Sequence, residues 1–156
     1  MATHRKSSKP FDLLNSSTNS MVLVSRRETF SASHRLYNPT LSDAQNAAIY
    51  DKCANPNGHG HNYELEVVVA GPVQEATGYV VDLKKLKSII RREVVDKLDH
   101  KHLNHDVDFL RGQIPTAENI ARAIWNVLET RITEGRLYAV RLRETENNVV
   151  EYRGDR

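Results

Sequence analysis

Two histidines one residue apart, His59 and His61, stand in the segment CANPNGHGHNY, Cys53 to Tyr63, at the mouth of a strand-like run. Alternate side chains of an extended chain share a face, so both imidazoles can close on one ion. Gly58 and Gly60 keep the backbone between them uncluttered. A third histidine, His34, ends the run ETFSASHRL. Three imidazoles are a set that zinc uses when its fourth position stays open for water or substrate, and His34, His59 and His61 are read as such a site. The same spacing also suits a polar strand edge, so other residues must decide. Cys53, the only cysteine, borders the pair in a Pro-Asn-Gly loop. Beside a metal and cationic groups a thiol ionises readily and serves as a general base; by itself it would be a small buried apolar residue.

These groups need elements to hold them. Val22, Val24, Arg26, Glu28, Phe30, Ala32 and His34 share one parity, a strand register that delivers His34 to its end. Ser42 or Asp43 suits the cap of a short helix before Cys53. In NYELEVVVAG the residues Tyr63, Leu65, Val67 and Val69 alternate with Glu64 and Glu66, and His59 and His61 continue the apolar parity. After the strand-like pair Val80 and Val81, Asp82 caps a helix carrying Leu83, Leu86, Ile90, Val94 and Leu98. Thr116 caps a second, with Ile120, Ile124, Val127 and Leu128 as its stripe. Two strands follow: RLYAVRLRE, with Tyr138, Val140, Leu142 and Glu144 in one parity, then VVEYRG after the turn at Asn147-Asn148. The order ββααββ predicts an α+β fold, a four-stranded antiparallel sheet with both long helices on one face. Such a sheet leaves two free edges, which joining copies edge to edge into a barrel would remove.

At 156 residues the chain suits one domain. We read 21–156 as that domain and 1–20 as a disordered, basic, Ser-rich tail. A net charge of +2, with Lys and Arg dispersed, argues against a nucleic-acid binder and allows an anionic small substrate. A lone cysteine, no membrane-length apolar run and no secretory leader together predict a cytoplasmic protein without membrane contact.

The segments FSASHRL, CANPNGHGHNYELEV, GYVVDLKKLK, LDHKHLN, PTAENIA and RETENNVVEY, in this order, closely resemble the 6-pyruvoyl tetrahydropterin synthase family. The likeness runs from about Thr29 to Tyr152. It implies the tunnelling fold, in which trimers close a β-barrel and two trimers stack into a homohexamer with active sites between subunits. It implies one zinc per subunit on His34, His59 and His61, with Cys53, Asp99 and His100 as proton-transfer groups. The implied reaction turns 7,8-dihydroneopterin triphosphate, with Mg2+ on its phosphates, into 6-pyruvoyl-tetrahydropterin and triphosphate.

Each implied role has an ordinary counterpart. His100 falls where the first long helix ends, where histidines often bind free carbonyls; to be oriented by Asp99 the pair must leave the helix, because adjacent helical residues do not face each other. Glu144 closes an apolar strand face, where a carboxylate needs partners. A pterin's amino group and ring N–H supply them, as would Arg141 or Arg143. Thr116 and Glu118 are expected in the pterin pocket, although a cap hydroxyl and an acidic first turn serve the helix anyway. His102 and His105 are read as polar surface residues. The related 6-carboxy-tetrahydropterin synthases, and a catalytically silent oligomer that binds zinc and pterin, are the alternatives.

Overall fold

The computed structural model describes residues 20–155; the tail expected over 1–20 lies, except for Ser20, outside the described residues. The elements are β1 (Met21–His34), α1 (Asp43–Tyr50), β2 (His59–Pro72), α2 (Leu83–Ile90), α3 (Asp96–Leu98), β3 (Lys101–His102), α4 (Ala117–Glu129), β4 (Arg136–Arg143) and β5 (Val149–Tyr152). The sheet has five strands in the order β3-β1-β2-β4-β5, one more than the sequence predicts. The addition is the two-residue β3, which pairs parallel with Ala32 and Ser33 at the end of β1. Two polar residues give no alternation from which to read a strand.

β1 and β2 form a long antiparallel ribbon whose register sets His34 opposite His59 and Ala32 opposite His61. Phe30, Ala32 and His34 face inward on β1, and Tyr63, Leu65, Val67 and Val69 on β2. Glu28 keeps that inward parity as a buried carboxylate because Arg26 and Arg91 clamp it, at 2.7 Å each. The opposite face of the sheet carries charges paired across strands, among them Arg141 with Glu66 and Glu151. β4 contains a bulge opposite Val68 and Val69, so Leu137 rather than Tyr138 takes the inward place opposite Val69.

The helices begin where cap chemistry places them. Ser42 and Gln45 form a reciprocal capping box on α1, the Asp82 carboxylate accepts from Lys84 N–H at 2.8 Å, and Thr116 accepts from Asn119 N–H. Leu86, Ile90, Val94 and Leu98 are buried as their spacing predicts, whereas Leu83, in the first turn, is exposed. The helix they share is interrupted by one wide turn, Arg91–Val95. Ile120, Ile124 and Leu128 of α4 complete the core against the sheet. Val80 and Val81 are buried but form no strand.

Candidate active site

The ends of β1 and β2 meet at three imidazoles. His34 is buried, while His59 and His61 are half-buried at the rim. The Nε2 atoms of His34 and His59 are 3.1 Å apart, and one ring nitrogen from each of the three histidines lies within 4.8 Å of the others. Gly58 makes this approach possible: it has φ +70°, and a Cβ there would sit 2.8 Å from the His34 carbonyl oxygen.

The ring chemistry suits a cation. Nδ1 of His34 lies 2.7 Å from the Pro115 carbonyl oxygen. A carbonyl can only accept, so Nδ1 carries the hydrogen and Nε2 keeps its lone pair free. Metal-ligating histidines are commonly fixed this way. Burial, opposed by the Pro115 bond and assisted by the neighbouring histidines, holds His34 down to about 4; burial and then His61 also lower His59. Nε2 of His61 is buried without a hydrogen-bond partner among the described residues. Neutral rings with converging, unpaired nitrogens are what a divalent ion requires. Two nitrogens about 2.0–2.1 Å from a tetrahedral zinc would be roughly 3.3 Å apart, close to the spacing of the His34 and His59 atoms. The three histidines therefore fit a metal ion.

Glu144, one residue past β4, stands over this group, with Oε1 3.6 Å from His34 Nε2 and 3.8 Å from His61 Nε2. Its backbone N–H donates to the Asn148 carbonyl in the turn before β5. Arg141 and Arg143, the ordinary partners, instead pair with other glutamates and with the Glu146 carbonyl.

Asp99 and His100 leave the helix, as their pairing requires. Asp99 is extended, and His100 has the left-handed φ of 58°. Its backbone N–H donates to the Ser31 carbonyl at 2.6 Å, and Nδ1 meets Asp99 Oδ2 at 2.9 Å. The other Asp99 oxygen accepts from Ser31 N–H at 2.8 Å. That bond first, and His100 second, hold the Asp99 carboxyl below its usual range. The His100 ring is exposed and borders an open cleft of about 580 Å³ that Ser31, Ser33, His61 and Lys101 also line.

Cys53 is half-buried in a tight turn, Asp51–Ala54, after α1. Its carbonyl accepts from Leu36 N–H at 2.9 Å, which fastens this loop near the end of β1. The sulfur lies close enough to act electrostatically on the Tyr63 hydroxyl, but Cys53 does not line the His100 cleft. Thr116 caps α4 directly after Pro115 and so lies near the metal-type group, whereas Glu118 is exposed. His102 departs from its reading as a surface residue. Set by β3 beside Ser33, its ring is half-buried, and it stacks on His105 with centroids 4.5 Å apart.

Two participants were hidden in the sequence. The Pro115 carbonyl is a backbone group and leaves no residue signature. Tyr63 reads as core, yet it follows His61 on the same parity, and its hydroxyl reaches the histidine group at 3.4 Å from His34 Nδ1.

Fold and site define a class: α+β proteins whose long antiparallel ribbon carries a three-histidine metal-type site at one end, under a carboxylate from a neighbouring strand. The family model described as 6-pyruvoyl tetrahydropterin synthase matches residues 23–155. A 6-pyruvoyl tetrahydrobiopterin synthase from Pongo abelii is 48% identical over 85% of this chain and 91% of its own. One from Dictyostelium discoideum is 48% identical over 86% and 97% respectively. The solved 6-pyruvoyl tetrahydropterin synthase of Caenorhabditis elegans superposes with a TM-score of 0.83 at 39% identity, covering 87% of this chain and 97% of that one. The chain belongs to the 6-pyruvoyl tetrahydropterin synthase family, a family of lyases acting on a pterin substrate. Among the described residues no helix is long and apolar enough to cross a membrane.

Proposed function

We propose that this protein converts 7,8-dihydroneopterin triphosphate into 6-pyruvoyl-tetrahydropterin with release of triphosphate, using zinc held by His34, His59 and His61. The observation that carries this reading is the convergence of ring nitrogens from His34, His59 and His61 within 4.8 Å of one another beside the Glu144 carboxylate. When bound, zinc supplies a Lewis acid that makes the substrate's side-chain hydroxyls and neighbouring C–H bonds more acidic. Neutral histidines would hold it without adding charge of their own.

Glu144 anchors the pterin: its two oxygens accept from the exocyclic amino group and the adjacent ring N–H in fork geometry. Thr116, and with less direct placement Glu118, belong to the same pocket. Cys53, as thiolate, takes a proton from the substrate side chain, and His100, oriented by Asp99, returns one on the opposite side. The side-chain carbons are oxidised as the ring double bond is reduced, and triphosphate leaves, so no outside reductant is consumed. Mg2+ accompanies the phosphates.

Cys53 is not among the residues that line the His100 cleft, which supports sites assembled between neighbouring copies. The free outer edge of β5 and the charge-paired open face of the sheet suit closure into a barrel of trimers, stacked as a homohexamer. We read 21–156 as a single catalytic domain working in the cytoplasm. Mass-spectrometric product analysis after anaerobic incubation of zinc-loaded protein with 7,8-dihydroneopterin triphosphate and Mg2+ tests the reading. The 6-pyruvoyl product with free triphosphate is expected. A 6-carboxy product would transfer the chain to the related branch, and unchanged substrate would make it a silent binder.

A further inference from the structure

The turn that carries Cys53 does not fix its own place. Asp51–Ala54 is a four-residue 3₁₀ turn with no side-chain hydrogen bond at its N-cap, entered through Asp51 at a positive φ of 46°. Such turns are short and hold few internal bonds. What aims the thiol relative to the three histidines must therefore come from outside the turn.

It comes from the two residues that follow His34. The Leu36 N–H donates to the Cys53 carbonyl at 2.9 Å, and Nε of Arg35 donates to the next carbonyl, that of Ala54, at 2.9 Å. Consecutive residues of one segment thus grip consecutive carbonyls of the other. Arg35 is itself fixed at both ends. Its backbone N–H donates to Asn104 Oδ1 at 2.8 Å and its carbonyl accepts from Asn104 Nδ2 at 2.9 Å, so a side-chain amide stands in for a strand partner. Its guanidinium carbon lies 4.0 Å from the centre of the Tyr37 ring, a seat that attracts a cation. A half-buried guanidinium N–H on a backbone oxygen is a charge-assisted bond, stronger than one between neutral groups.

We propose that Arg35 is a positioning residue, a strut that holds the Cys53 turn in a set place beside the three-histidine group. This rests on the reading of Cys53 as the base that takes a proton from the substrate. His34 and Arg35 share a peptide bond, so a candidate ligand of the ion and the support of the base move as one unit. Asn104 ties that unit to the segment that follows His100, which brings the groups of the proposed chemistry onto one anchor.

The test compares zinc-loaded wild type with Arg35→Met, which keeps an apolar stem and removes both donor and charge. Native-state hydrogen exchange is followed at two amides: Leu36, bonded to Cys53, and Leu103, bonded to Ser33 in β1. Leu36 should lose about tenfold in protection, the effect of one hydrogen bond to a charged group. Leu103 should keep wild-type protection, because Asn104 still holds the backbone at position 35. With 7,8-dihydroneopterin triphosphate, kcat should fall about tenfold or more, since misplacing a reacting group by about 1 Å can cost on the order of 10²-fold. KM, and zinc affinity in chelator competition, should stay at wild-type values. Tyr37→Leu, which removes the seat and keeps the arginine, is a second arm that does not depend on Arg35→Met folding: it should show the same selective loss at Leu36 to a smaller degree. Unchanged Leu36 protection in either variant, or equal losses at Leu36 and Leu103, would overturn the proposal. So would a released turn in Arg35→Met with undiminished kcat while Cys53→Ala is inactive. If Cys53→Ala turns over as fast as wild type, the base reading falls, while the exchange measurements still decide whether Arg35 holds the turn.

Discussion

His34 donates from Nδ1 to the carbonyl of Pro115, a residue distant in sequence that closes the turn into α4. The orientation of the most deeply buried imidazole thus depends on how that helix begins. The Thr116 side chain fixes the beginning by accepting from Asn119 N–H. Thr116→Ala should cost about 1 kcal/mol in chemical denaturation and also weaken zinc binding severalfold in chelator competition. A stability loss with unchanged zinc affinity would separate the cap from the metal-type group.

Gly58 allows β1 and β2 to converge. Gly58→Ala adds a methyl group at a left-handed position and drives it into the His34 carbonyl. The backbone conformation alone costs roughly 1–2 kcal/mol, and relief of the clash must separate His34 from His59. A lower melting temperature together with at least tenfold weaker zinc binding is expected.

Acid should destabilise the metal-free protein through His34. Its pKa is about 4 in the fold, against about 6.5 in an unfolded chain. Between these values the unfolded state binds more protons, so stability is retained above about pH 6.5 and falls as the pH drops toward 4. The full effect is on the order of 3 kcal/mol. Urea titrations of chelator-treated protein between pH 4 and 7 should show this slope in wild type and a shallower one in His34→Gln; parallel slopes would refute it.

Cys53 is not part of the three-histidine group, so its proposed work is chemical. Cys53→Ala should lower turnover by about 10²–10⁴-fold, the usual contribution of a general base, while metal content stays at the wild-type level. Loss of metal alongside activity would make the cysteine structural.

Asp99→Asn separates holding from chemistry. An amide oxygen can still accept from Ser31 N–H, so the segment should stay in place and melting should change little. The charged partner of His100 is lost, and turnover should fall well below wild type in steady-state assays. Equal activity in the two proteins would leave Asp99 as a backbone tie alone.

Much of this was readable from residue types. The parity of His59, His61, Tyr63 and Leu65 states which face they share, because an uninterrupted strand leaves no other choice. The caps at Asp82 and Thr116 were legible for the same local reason, and the first cap was narrowed to Ser42 or Asp43, of which the structure uses Ser42. What stayed hidden depends on distant pairing. No feature of β1 alone states that His34 faces His59, since that register is set over the whole ribbon. The two-residue β3 exists only because β1 is there to receive it, and its pairing draws His102 partly out of solvent. Tyr63 is in the core, as its parity states; that its hydroxyl lies beside His34 was not legible, because an aromatic in an apolar row says nothing of its hydroxyl's neighbours.

The bulge in β4 can be understood as a correction of phase. Leu137 must point into the core and Glu144 must reach the histidines, yet an odd number of steps separates them. In a perfectly alternating strand two such residues always lie on opposite sides. The extra residue at the bulge shifts the count by half a period, letting both point the same way. Straightening the strand with every residue kept would set the two demands against each other, so that either the core or the site loses its residue. An apparent irregularity in the strand is therefore what lets one stretch of chain serve packing at one end and chemistry at the other.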